Sequence, residues 1–111
     1  MVDILIATQQ KDEAISLLKQ AIKDDPQDTG SLFKLASLYH EKQQLKQAEQ
    51  LYQQIISVNP NHITALNNLA WIIVDTDTAK AVELAKQAYE QAQQSPAIAD
   101  AYGFFLVKDG Q

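Results

Sequence analysis

Cysteine is absent from the 111 residues, which excludes thiolate zinc sites and thiol catalysis. It does not choose a compartment, because reducing and oxidising environments both tolerate a cysteine-free chain. Glycine and proline are scarce, three of each, and punctuation that sparse fits nearly continuous helix. Positive charge is also short: 9 basic against 14 acidic side chains leave a net charge of −5, so duplex nucleic acid or an anionic membrane surface would be repelled. No nucleic-acid partner is expected. Long apolar runs are missing too. The longest, Leu69 to Val74, is far below the roughly 20 residues that cross a bilayer, so no direct membrane insertion is expected. The opening Met1-Val2-Asp3-Ile4-Leu5-Ile6 is too short and too acidic for a secretory signal, and localisation stays open between cytoplasm and periplasm.

What is present is helix-period apolar patterning, with 46% hydrophobic residues, enough for a core. The stretch from Thr29 to Pro60 is the unit the rest of the chain copies. Leu32, Leu35, Ala36 and Tyr39 recur at three- and four-residue steps, and after the polar break Glu41 to Gln44 the rhythm returns in Ala48, Leu51, Tyr52, Ile55 and Ile56. This is a helical hairpin with one apolar seam. Asp25-Pro26 and Asn59-Pro60 close successive copies at 60 − 26 = 34 residues. Leu66, Leu69, Ala70 and Ile73 then repeat Leu32, Leu35, Ala36 and Tyr39, and Ala48 to Ala81 is 81 − 48 = 33. Asp28 or Thr29, Asp77 or Thr78, and Ser95 before Pro96 are the expected helix caps. Lys11 to Asp24 reads as an earlier trailing helix with Ala14, Leu17, Leu18, Ala21 and Ile22 on its buried face.

A helix pair recurring at about 34 residues is the period of the tetratricopeptide repeat, and the residue set resembles that family across essentially the whole chain. The resemblance rests on the small crossing positions Ala36, Ala70 and Gly103, on Ala14, Ala48 and Ala81 opening each trailing helix, on Leu18, Tyr52 and Ala85, on Ala21, Ile55 and Ala88, and on Pro26 and Pro60. It departs where Gln9 and Gln43 replace the usual turn glycine, Leu32 and Leu66 the usual tryptophan, and Gln93 the closing proline. The run Ala65 to Trp71 followed by Ser95-Pro96-Ala97-Ile98 is also similar to bacterial arrays in envelope and polysaccharide-export lipoproteins. The resemblance implies an all-α fold of antiparallel helical hairpins stacked as a right-handed solenoid, with about seven helices. A truncated first repeat (1–28) would precede repeats at 29–62 and 63–95 and a leading or capping helix at 96–111. Met1 to about Gln9 would be a separate stub of the first leading helix.

The resemblance further implies that leading helices line a concave groove. The exposed positions there would be Phe33, Ser37, His40 and Glu41, then Asn67, Asn68, Trp71, Val74 and Asp75, then Asp100, Phe104, Val107 and Lys108. Rings flanked by amides suit peptide recognition, since an asparagine can pair with both N–H and C=O of a peptide and a ring supplies area at low entropic cost. Against this, aromatics at helical spacing are usually core. Asn68 matches one residue of the family's clamp for C-terminal carboxylates, but Phe33 and Ser37 stand where Lys and Asn would be, so no such clamp is expected.

His40 and His62 have no ligand partner at metal spacing, and Asp75-Thr76-Asp77 lacks the glycine and distal glutamate of a calcium loop. Asp24, Asp25 and Asp28 sit in a polar loop with no apolar surroundings to raise a carboxyl pKa. No catalytic residue, metal or cofactor is expected, and the chain reads as a non-enzymatic interaction module and scaffold. The competing reading is a structural, self-associating segment of a longer solenoid with no peptide ligand. On either reading Ile98, Tyr102, Phe105 and Leu106 of the last helix have no trailing helix to cover them and are expected to be available for homodimer formation.

Overall fold

The computed structural model describes the backbone of residues 2–110 and the side chains of residues 10–110. Six α-helices follow one another with no strand among the described residues: α1 (Val2–Asp24), α2 (Thr29–Glu41), α3 (Leu45–Val58), α4 (Ile63–Ile73), α5 (Thr78–Gln91) and α6 (Pro96–Lys108). Each helix packs on its chain neighbours, so the hairpins α2–α3 and α4–α5 stack in sequence order. The radius of gyration is 15.3 Å, above the about 13 Å of a compact domain this long, as expected when units contact only their neighbours.

Local chemistry sets the boundaries. Asp28 caps α2 by accepting from the Ser31 N–H (3.3 Å) and Ser31 Oγ (2.8 Å). His62 caps α4 through Nδ1, which accepts from the Ala65 N–H at 3.1 Å. Asp77 caps α5 and Ser95 caps α6, with Pro96 in the first turn where its missing N–H costs nothing. Gln43, at the position where the family usually has glycine, adopts φ +61°, the left-handed conformation that joins α2 to α3.

One expected break is not there. α1 runs unbroken through Gln9 instead of dividing into a stub and a trailing helix, which gives six helices where about seven were expected. Thr8-Gln9-Gln10-Lys11 contains no glycine or proline that would stop it. The tight turn at Gln43 depends on α2 closing against α3, with the Gln44 N–H donating to the Tyr39 carbonyl at 2.9 Å.

The core lies along the hairpin crossings. Leu32, Ala36, Ala48, Tyr52 and Ile55 are sealed within the first full hairpin, and Leu66, Ala70, Ala81, Ala85 and Ala88 within the second. Alanine at Ala36 and Ala70 lets the two backbones approach, and a larger side chain would hold them apart. Among the described side chains of α1 the buried one is Ile15, whereas Leu17, expected inside, is 72% exposed. Among the described residues the first helix packs chiefly on α2, so its apolar stripe is covered mainly from one side.

Candidate functional site

The helices α2, α4 and α6 carry the residues expected to line a groove, and side-chain contacts join them laterally. On α2, Phe33 is half-buried, meets the Tyr52 ring edge-on at 6.1 Å and stacks on His62 at 5.5 Å. His40, two turns further on, meets the other side of the same hairpin with its ring edge-on to Tyr52 at 6.3 Å. Tyr52 itself is fully buried, but its hydroxyl accepts from Asn68 Nδ2 at 3.2 Å, which orients that amide. Ser37 joins Phe33, Lys34 and Leu38 of α2 with Ala14 and Leu18 of α1 around a shallow depression of about 300 Å³.

A second aromatic cluster joins α4 to α6. Trp71 stacks on Phe104 with ring centroids 5.4 Å apart and planes inclined by 28°, while Phe105 meets Trp71 edge-on at 4.6 Å from beneath. Trp71 is 44% and Phe104 50% exposed, so the pair forms a ledge with one face in water. Asp75 and Lys108 close its end with an ion pair of 3.0 Å. Between the two ring clusters lie Asn67 and Asn68. Asn67 Oδ1 is shielded from water and has no hydrogen-bond partner among the described residues, an acceptor whose desolvation is uncompensated. Asp100 lies exposed on α6.

Several expectations are corrected here. Val74, expected to be exposed in the groove, is buried at the end of α4. Ile98 and Phe105, expected to be uncovered, are buried, and Phe105 is fully so, because α6 rolls that face onto α5 and under Trp71. Tyr102 is half-buried beside Tyr89 at 5.4 Å and Leu106 is half-buried. The large apolar side chains that α6 leaves most open are Phe104 and Val107. Two contacts escaped the sequence reading: the Tyr52 hydroxyl to Asn68, hidden because tyrosine in a seam reads as core, and the stacking of the His62 ring on Phe33.

Comparison with known proteins gives a consistent picture. A tetratricopeptide repeat profile matches residues 5–72. A TPR repeat-containing protein of Pseudomonas aeruginosa is 27% identical over 104 residues, covering 92% of this chain, and the chain spans 18% of that protein's length. A crystal structure of MamA superposes with a TM-score of 0.83 at 17% identity, covering 97% of this chain and 64% of that one. The first TPR of Spaghetti (RPAP3), solved bound to an HSP90 peptide, gives 0.82 at 14% identity, covering 98% and 87%. At those identities the structural likeness speaks for the fold. No helix among the described residues is long and apolar enough to cross a membrane.

Proposed function

Because the chain belongs to the tetratricopeptide repeat family, we propose that it is a protein-interaction module that holds a peptide or helix of a partner protein against its leading-helix face, as one scaffold element of a larger assembly. The observation that carries this reading is the half-exposed Trp71–Phe104 stack beside the paired asparagines. Buried on all sides, such rings would serve packing alone. Left open on a rigid helix pair, they offer preorganised apolar area, the kind of anchor that dominates binding energy at protein interfaces. Asn68 is held in place by Tyr52 and keeps its carbonyl side for a second contact.

Peptides selected from a displayed random library against this chain test the reading. They should perturb the Trp71 indole and the Asn67 and Asn68 side-chain amide signals in NMR spectra. Trp71→Ala should weaken their binding at least about tenfold, a loss of about 1.4 kcal/mol, with the helical signal retained. Binders that map elsewhere, or affinity unchanged by Trp71→Ala alongside a large loss of thermal stability, would make Trp71 a packing residue and remove the basis of the proposal.

A further inference from the structure

Among the described residues two helix faces, one on α1 and one on α6, lack a covering helix, and they match the two halves of an interface the molecule already contains twice. In the first full hairpin, Leu32, Ala36 and Tyr39 of α2 are closed by Ala48, Tyr52 and Ile55 of α3. In the second, Leu66, Ala70 and Ile73 of α4 are closed by Ala81, Ala85 and Ala88 of α5. The register places Ala99, Gly103 and Leu106 of α6 as the next leading set, and Ala14, Leu18 and Ala21 of α1 as a trailing set. Neither set is buried: Gly103 is exposed, a Cβ built on it would meet nothing within 4 Å, and the other five are half-buried. Beside them Leu17 lies 72% exposed on the stripe of α1.

We infer that α6 of one copy and α1 of a second copy pair as leading and trailing helices, so that two chains join end to end and share one complete repeat. The occupant is specified by the internal template. A small residue sits at both centres of each hairpin crossing, Ala36 with Ala48 and Ala70 with Ala81, and the intermolecular pair supplies Gly103 with Ala14. Seated there, α6 also reaches the 300 Å³ depression lined by Ala14, Leu18, Phe33 and Leu38, because a leading helix lies beside the next leading helix as α4 lies beside α6. The contact is heterologous: each copy uses a different face at each end, so growth is open-ended and does not stop at a dimer. One helix pair is a small interface and each copy carries a charge of −5, so association should be weak and should strengthen with salt.

The test is a complementation experiment on the 111-residue chain. Gly103→Gln places a side chain in the open crossing on α6 without disturbing the folded monomer, and Leu17→Lys charges the exposed stripe of α1. Sedimentation velocity of the unmodified chain from micromolar to millimolar concentration should show an average mass that rises without a plateau, more steeply at high salt. Each variant alone should be monomeric. Mixed, they should form a 1:1 dimer and nothing larger, because one retains an open α1 and the other an open α6. A chain that is monomeric throughout, a mass that levels at a closed dimer, or growth insensitive to both variants would overturn the inference. These substitutions leave Trp71 and the asparagines untouched, so this result and the peptide experiment can fail separately.

Discussion

The crossing position tests the packing most directly, because three equivalent residues sit in two different environments. Ala36 and Ala70 are fully buried where a trailing helix closes over them, whereas Gly103 faces open space. Gly103→Ala therefore adds a methyl group with nothing to collide with and removes the flexibility of glycine from a helix interior. That is worth about 0.8–1.0 kcal/mol in favour of α6. Ala70→Leu forces three more carbons between α4 and α5, where the backbones are already in close approach, and should cost roughly 1–3 kcal/mol. The two changes should therefore differ by roughly 2–4 kcal/mol although they occupy one register position. At about 4–8 °C per kcal/mol for a domain near this size, the melting temperatures should separate well beyond experimental error. Urea melts at low protein concentration, followed by circular dichroism, measure the helices. The single tryptophan, Trp71, packs on Phe104 and Phe105, so its fluorescence reports separately on the α4–α6 junction. A destabilising Gly103→Ala would mean the space beside α6 is filled. A neutral Ala70→Leu would mean the hairpin crossing is not where the register puts it.

Two further outcomes concern the turns and caps. Gln43 holds φ +61°, a conformation that costs an L-residue roughly 1–2 kcal/mol, so Gln43→Gly should raise the urea midpoint slightly, the relieved strain exceeding the added chain entropy; a lower midpoint would refute it. The Ser31 hydroxyl and N–H hold the Asp28 carboxyl below the ordinary carboxylate range. A depressed folded pKa contributes stability that is complete above the unfolded pKa, about 3.9, and is lost as pH falls through the lower folded value. The stability advantage of the parent chain over Asp28→Asn should accordingly shrink below about pH 4 and be constant near neutrality. Thermal melts across that range check the sign, and an advantage that grows on acidification would contradict it.

The all-α class, the hairpin period and most boundaries were legible in the residues alone, because they depend on local chemistry. Asp28, Asp77 and Ser95 cap with their own side chains, Pro26 and Pro60 terminate helices sterically, and a seam at three- and four-residue spacing can bury only one face. Gln43 was marked as the turn residue by where it fell in the repeat, and the left-handed φ bears that out.

Other features were settled only by tertiary contact. Whether Gln9 would break the first helix depended on an opposing helix to close the turn, and helix propensity prevailed there. On α6, Ile98, Ala101, Tyr102, Phe104, Phe105, Leu106 and Val107 surround the axis, so periodicity marks no single inner face. Packing on α5 and under Trp71 decided that Phe105 is core and Phe104 a ledge. The Tyr52–Asn68 bond joins residues of different helices 68 − 52 = 16 positions apart, and the shielding of the Asn67 acceptor arises from packing as well. Periodicity gives each helix its inward stripe from side-chain spacing alone, but which residues of two stripes meet, and which remain open to water, depends on how one helix rolls against the next.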